Sequence, residues 1–310
     1  MHTVIVGAGG IGGYLAAKLV CRGHRVSILA RGAHLDAIRK DGLTLSEPEA
    51  SVTIRPETVT DAPGDIAPAD LLVAAVKTQD LTAALTSIAP LVAPGTPVLP
   101  FQNGVDAPRL VSEALPNATP LIGVARIFAN ITAPGVITRY GDMQSFVIGD
   151  ASGKQTDTAV QDILTAWRSA GIDVPQCADV LGELWSKFLV FNAVSSVTAC
   201  GRCRMGDVLA SEPLFRLAQG LVVETAEVAA AKGVTLPAGA VEQVLGVLRG
   251  MVPEARASMA HDIELGKPLE ADWICGAVSR FGREVGVPTP LSDACYGILS
   301  PWIAGTPKRG

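Results

Sequence analysis

Hydrophobic and polar positions along this 310-residue chain mix strand-like and helical spacing in the first half and keep to helical spacing in the second. In the first half, short apolar runs alternate with stretches of helical spacing. Thr3-Val4-Ile5-Val6 is a β-branched run suited to a buried strand, Gly13 to Val20 reads as a helix that stops at Gly23, and Arg25 to Leu29 reads as a second strand. Ala33 to Lys40 is helix-favouring, and Gly42 to Leu45 with Ser51 to Ile54 suggests a small antiparallel pair outside the main sheet. Asp70 to Val76 is apolar after its first residue, as in a strand covered by helices on both faces, and a helix over Leu81 to Ala89 ends at Pro90. Pro97 to Phe101 is the next strand. Ile122 to Ile131, Val136 to Tyr140 and Ser145 to Ile148 are extended, and are expected to finish the sheet as late, partly antiparallel strands. Thr156 to Ala170 is a helix, with Ile172 to Val174 as a last edge strand.

Beyond Ala178 strand signals cease. Long helices are expected over Leu181 to Thr198, Pro213 to Lys232, Ala238 to Gly250, Ala271 to Gly286 and Pro290 to Leu299. The expected organisation is an α/β domain over 1–178 and an all-helical domain over 179–310, with a catalytic cleft between them.

Chemistry enters at the first strand-to-helix junction. Gly7-Ala8-Gly9-Gly10-Ile11-Gly12 spells G-x-G-x-x-G. In a chain with 32 glycines the pattern alone means little, but here a strand precedes it and a helix follows. Gly7 suits a tight turn, Gly9 a close approach of pyrophosphate to the backbone, and Gly12 close packing of helix on strand, with helix N–H groups facing the anion. An NAD-preferring site places a carboxylate at the end of the second strand. This chain has Leu29 and Ala30 there, then Arg31, which suits a 2′-phosphate, so NADP(H) is the expected cofactor unless Arg31 is only a solvated loop cation. Ligands of open parallel sheets bind at the carboxyl ends of strands. That brings Lys77 and Gln79 to the cofactor side, although helix capping by Thr78 or Asp80 explains the same stretch. Asn103 either meets the nicotinamide and substrate or is a turn residue tolerant of left-handed φ.

The net charge of −5, without a Lys/Arg block, offers no footprint for nucleic acid or an acidic membrane. A strand starting at residue 3 leaves no space for a signal peptide, no apolar run of about 18 residues occurs, and six scattered cysteines suit a reducing compartment, so a cytoplasmic location is expected. Cys200 and Cys203 alone have C-x-x-C spacing, and without a second pair or a nearby histidine no metal is expected. The helices of the second half, Leu214 to Ala231 among them, suit burial against a second copy as well as against their own core, which leaves a homodimer open.

In the helical half, Lys187 is a single lysine in an otherwise apolar helix. Desolvation beside Phe191 and Val194 favours its neutral form and suits a general acid near neutrality; the plain alternative is a lysine snorkelling from the edge of a core helix. Ser258 and Asp262 are four apart on one helix face, and Glu270 just after Pro268 suits capping as well as catalysis.

Together, Val6-Gly7-Ala8-Gly9-Gly10-Ile11-Gly12-Gly13-Tyr14, Val76-Lys77-Thr78-Gln79, Gln102-Asn103-Gly104, Leu184-Trp185-Ser186-Lys187, Ser258-Met259 with Asp262, and Glu270-Ala271-Asp272-Trp273 resemble the ketopantoate reductase (2-dehydropantoate 2-reductase) family over nearly the whole chain. The resemblance implies an N-terminal Rossmann domain and a helical C-terminal domain like that of 6-phosphogluconate dehydrogenase. It implies NADPH-dependent reduction of 2-dehydropantoate to pantoate in pantothenate synthesis. By motif, Lys187 is the implied proton donor, Glu270 the partner of the substrate hydroxyl and Ser258 a carboxylate contact, while Asn103 lies between substrate and nicotinamide and Lys77 and Arg31 serve the cofactor. Family members usually carry asparagines four and eight residues after the lysine. Here those positions hold Phe191 and Ser195. Ser195 stays in the substrate set, but the change leaves open another hydroxy or oxo acid, and a non-catalytic NADP(H) sensor is the alternative outside enzymes.

Overall fold

The computed structural model describes residues 1–307 and divides into two compact units. The first comprises Met1–Gln102 and Ala107–Leu181; the second comprises Asn103–Asp106 and the chain from Gly182 onward.

Elements of the first unit are β1 (His2–Val6), α1 (Gly10–Val20), β2 (Arg25–Leu29), α2 (Gly32–Asp41), β3 (Leu43–Ser46), β4 (Ser51–Ile54), β5 (Thr58–Thr60), β6 (Leu71–Ala74), α3 (Thr78–Ile88), β7 (Pro97–Pro100), α4 (Ala107–Ala114), β8 (Thr119–Pro120), β9 (Ile122–Ala133), β10 (Val136–Gly149) and α5 (Thr158–Ser169). Six of the strands form a parallel sheet in the order β5-β2-β1-β6-β7-β8. β1 and β6 are buried along their whole length, which is why they read as unbroken apolar runs. One face of the sheet packs on α1 and α5 through an aromatic cluster, Phe146 lying 5.4 Å from Phe101, 5.8 Å from Trp167 and 5.9 Å from Tyr14 by ring centroids. The other face packs on α3 and α4 through Leu81, Leu85, Ile88 and Val111.

β9 and β10 do not finish this sheet. They form a long antiparallel hairpin in a second, four-stranded sheet of order β4-β3-β10-β9, where Val136–Thr138 run parallel to Thr44–Ser46. Alternation along a strand identifies the strand but not its neighbour, and the partner here is supplied by the small pair that the sequence places outside the main sheet. Gly141 and Asp142, expected to separate two strands, sit in a bulge within β10, where the register shifts between Tyr140 and Gln144. Ile172–Val174 form no strand: Ile172 and Val174 bury their side chains in the core, and the Asp173 carbonyl accepts one bond from the Phe146 N–H.

The second unit is helical: α6 (Val180–Gly201, which begins two residues before it), α7 (Met205–Ala210), α8 (Glu212–Ala231), α9 (Ala240–Arg249), α10 (Ser258–Glu264), α11 (Cys275–Val285) and α12 (Pro290–Leu299). The helix expected over Ala271 to Gly286 is broken. A 3₁₀ turn over Ala271–Trp273 gives way to α11 through Ile274, whose backbone (φ −108°, ψ −102°) is not helical. Glu224 of α8 is buried and takes bonds from Leu291 N (2.7 Å), Ser292 N (2.9 Å) and Ser292 Oγ (2.7 Å), so its carboxylate satisfies the otherwise unpaired N–H groups at the start of α12. Among the described residues no helix is long and apolar enough to cross a membrane.

Candidate active site

The glycine turn of the first unit is set by what each missing Cβ makes room for. Gly7 has φ +98°, and a Cβ there would lie 2.7 Å from Val76 Cγ1 and 3.0 Å from the Ala75 carbonyl, so only glycine fits. A Cβ on Gly12 would strike the Gly7 carbonyl oxygen, which lets the first turn of α1 sit directly on the end of β1. Gly10 answers a different demand: its Cβ would strike the Ala129 carbonyl of β9, so this glycine admits the second sheet. Gly9 is unlike the others. At φ −71° a Cβ there would meet only Ala75 O, at an unstrained 3.9 Å, so the residue that caps the start of α1 is not crowded. Ile11 is half-buried in the first turn of that helix, and Ala8 is buried.

Around this turn, Arg31 is the residue before α2 and points its guanidinium at Asp80 in the first turn of α3, 3.2 Å away; the arginine side chain is 80% exposed. Lys77 is exposed, immediately before α3. Thr78 is the first residue of that helix rather than its cap. Gln79 Oε1 is buried and has no hydrogen-bond partner, an acceptor left over at the carboxyl end of β6. Gln102 instead fastens this edge, its Nε2 donating to Ala74 O (3.1 Å) and Val76 O (2.9 Å). His34, which belongs to no motif, lies against the turn with Nε2 2.8 Å from Ala8 O.

An open backbone at Gly9, a helix N-terminus beneath it and an exposed cation at the end of β2 fit the phosphates of a dinucleotide.

In the second unit α6 is predominantly apolar and mostly buried, as such a helix must be. One stripe is only half-buried: Glu183, Ser186, Lys187, Val190 and Phe191, spaced as a single helix face. Lys187 Nζ lies 3.5 Å from Asn103 Oδ1 and 6.0 Å from the centre of the Phe191 ring. Asn103 does not adopt left-handed φ. That conformation falls to Gly104 (φ +89°), where a Cβ would lie 2.6 Å from the Trp273 carbonyl oxygen. Asp106, almost fully buried, anchors the same short segment by accepting from Arg280 Nη2 at 2.6 Å.

The remaining sequence candidates are placed as follows. Ser195 continues the α6 stripe one turn beyond Phe191, but it is fully buried and its hydroxyl has no hydrogen-bond partner. Asn192 turns the other way, into the core, donating to Thr225 Oγ1 at 2.9 Å and accepting from Ser196 Oγ at 3.1 Å. Glu270 is buried just before the 3₁₀ turn, and its side chain makes no capping bond there. Ser258 is exposed as the first residue of α10, whereas Asp262, four residues on, is buried. Lys187, Asn103 and Phe191 are thus brought together.

Two family models match the chain, ketopantoate reductase PanE/ApbA over residues 3–153 and its C-terminal domain over residues 179–302. The chain belongs to the ketopantoate reductase family. The 2-dehydropantoate 2-reductase of Mesorhizobium japonicum is 33% identical to it, over 96% of this chain and 97% of that one. That of Halobacterium salinarum is 28% identical, over 94% and 95%. A PanE/ApbA family ketopantoate reductase from Ralstonia eutropha JMP134 superposes with a TM-score of 0.89 at 25% identity, covering 98% of both chains. As in its relatives, the α/β part of this ketopantoate reductase family member is followed by a helical part.

Proposed function

We propose that the protein is an NADPH-dependent reductase of a 2-oxo acid, converting ketopantoate to pantoate. The observation that carries this is a lone lysine, Lys187, on the only half-buried stripe of a buried helix, with its Nζ held near Asn103 Oδ1, in a chain that also has a dinucleotide-type glycine turn. In this reading 1–178 bind NADP(H) and 179–310 supply the acid and the substrate contacts.

When bound, the dihydronicotinamide supplies the hydride. Gly7, Ala8, Gly9, Gly10, Ile11 and Gly12 form the cradle for the pyrophosphate, Arg31 pairs with the 2′-phosphate, and Lys77 and Gln79 complete the cofactor contacts. As the carbonyl carbon gains hydrogen, its oxygen takes a proton from the Lys187 ammonium, which becomes a neutral amine and is reprotonated from solvent. Asn103, an acceptor for that ammonium, aims it. Glu270 accepts from the substrate hydroxyl, Ser258 donates to its carboxylate, and Ser195 offers a hydroxyl with no protein partner. No nucleic acid or membrane enters this scheme, and pairing of the second-half helices with another copy is compatible with it.

Replacing Lys187 with Ala is expected to lower kcat about 10²- to 10⁴-fold, the usual contribution of a general acid, while NADPH affinity is retained. NADPH oxidation followed by absorbance with ketopantoate is the assay. Wild-type turnover in the variant would remove Lys187 from the role.

A second reading changes only the acid. The Phe191 ring beside Lys187 presents an apolar surface, favouring a 2-oxo acid with a larger apolar side chain. A panel of such acids run beside ketopantoate, compared by kcat/KM, separates the two.

A further inference from the structure

His34 sits in the first turn of α2, and both nitrogens of its ring are committed. Nε2 lies 2.8 Å from the Ala8 carbonyl oxygen, which can only accept, so Nε2 carries the proton. Nδ1 lies 2.9 Å from the Gly135 N–H, which can only donate, so Nδ1 carries the lone pair. The neutral Nε2–H tautomer is therefore dictated by its partners. Gly135 forms the tight β9–β10 turn at φ +76° and passes the connection on, its carbonyl accepting from Thr44 N at 2.8 Å. One imidazole thus joins the glycine turn to the second sheet.

The bond to Ala8 matters because a peptide unit is planar. Holding the Ala8 carbonyl fixes the Ala8–Gly9 plane, and with it the direction of the Gly9 N–H on the opposite edge. Gly9 is also the turn glycine with the least crowding, a Cβ there meeting one atom at 3.9 Å, and it caps a helix whose first N–H groups have no intrahelical acceptor. Without such a tie, a Gly-rich turn loses more freedom on binding an anion than almost any other backbone.

We propose that His34 is a positioning residue for the dinucleotide: as a neutral imidazole bridging Ala8 O and Gly135 N, it pre-orders the Ala8–Gly9 peptide so that the Gly9 N–H faces the pyrophosphate. The proposal rests on the dinucleotide assignment above and is independent of the identity of the oxo acid. It separates His34 from Arg31. The histidine serves the phosphates common to NADPH and NADH, whereas the arginine serves the 2′-phosphate alone.

Protonation would place an N–H against the Gly135 N–H and break the bridge. Burial already pushes the ring below its ordinary value of 6.5, the Ala8 bond opposing in part. The segments on either side of the ring, 7–12 and 133–135, carry no titratable side chain, and the nearest charges along its own stretch are Arg31, just before α2, and Asp36 within it. Because the value is lowered, the bridge is intact at pH 6.5 and above and is lost only as the pH falls through that lowered value.

Three variants resolve the two bonds. His34→Gln can keep a donor within reach of Ala8 O, His34→Asn keeps an acceptor for Gly135 N but loses that donor, and His34→Ala loses both. Binding is read by calorimetric titration with NADH and with NADPH, and the ring is read by two-bond ¹H–¹⁵N correlation NMR. The Asn and Ala variants should bind both dinucleotides about 3- to 10-fold more weakly, as for one lost hydrogen bond, with the Gln variant near wild type and kcat at saturating NADPH unchanged. Wild-type NADH affinity should fall with the ring's protonation while that of the Gln variant stays level, and the spectrum should show Nε2–H. Equal affinity in wild type and the Ala variant, equal losses in the Gln and Asn variants, or an Nδ1–H signal would each overturn the proposal even if stability fell in every variant. A wild type that binds neither dinucleotide would overturn the cofactor assignment and this proposal with it.

Discussion

Replacing Arg31 with Ala tests the cofactor preference, and its size can be worked out before the measurement. In the structure the Arg31 guanidinium already has an anionic partner, Asp80 at 3.2 Å, with the two side chains 80% and 45% exposed. A pair so open to water contributes about 0 to 1 kcal/mol. A 2′-phosphate that takes the guanidinium from Asp80 gains a charge-assisted bond of about 1.5 to 3 kcal/mol and gives up that smaller term. The net contribution is then roughly 0.5 to 3 kcal/mol, or about 2- to 160-fold in affinity. Arg31→Ala should therefore weaken NADPH by that factor and leave NADH nearly unchanged. Asp80→Asn should act in reverse, tightening NADPH up to about 5-fold by removing both the competitor and a carboxylate near the phosphate. Titrating wild type and both variants with NADPH and NADH by fluorescence reads the affinities, and the Arg31→Ala effect should shrink at high salt because the site is exposed. Equal weakening of both dinucleotides by Arg31→Ala, or no weakening of either, would refute the argument.

Two adjacent glycines should part company. Gly9→Ala is sterically free in the folded protein and should keep wild-type thermal stability while losing most dinucleotide affinity, whereas Gly10→Ala drives a Cβ into the Ala129 carbonyl and should lower the melting temperature outright. Glu224→Ala removes three bonds at the buried start of α12 and should cost about 3 to 5 kcal/mol, seen as a drop of roughly 10 °C in thermal unfolding; Glu224→Gln, which keeps one acceptor oxygen, should lose less. Burial raises the Glu47 carboxyl but bonds from Lys18 and Arg139 outweigh it, holding it below 4.5. Its contribution is thus full above pH 4.5 and is lost as the pH falls through the lowered value, and Glu47→Gln should make acid unfolding less steep in circular dichroism.

What could be read in the sequence was local. β2 and α12 fall at Arg25–Leu29 and Pro290–Leu299, because a β-branched strand after a glycine stop, and a helix beginning with proline, are decided by neighbouring residues. The three-residue β5 gives too short a pattern to stand out, and the hairpin of β9 and β10 is tied into its sheet by the pairing of β10 with β3, far back in the chain. At the site, the glycine pattern marks which residues matter but not why: Gly10 and Gly9 look alike in sequence, yet one admits a neighbouring strand and the other leaves space. His34 carries no motif because its partner Gly135 is 101 residues away, and Glu224 reads as an ordinary charged helix residue until Ser292, 68 residues on, is folded against it. The lysine stood out for a physical reason, a charge placed where its neighbours are apolar.

The segment Asn103–Asp106 has a consequence for how the protein is made. These four residues lie between two stretches of the first unit but pack with the second, Asp106 on Arg280 and Gly104 under the Trp273 carbonyl. On the ribosome they are therefore synthesised long before the residues they pack with. The first unit can condense around β1 and β6 while this loop waits, but the second cannot be completed from its own contiguous stretch. A gene cut near codon 180 would accordingly yield a C-terminal piece with Arg280 lacking its buried carboxylate and Lys187 lacking Asn103. Supplying the two pieces together, rather than either alone, is the way such a split would recover a folded helical half.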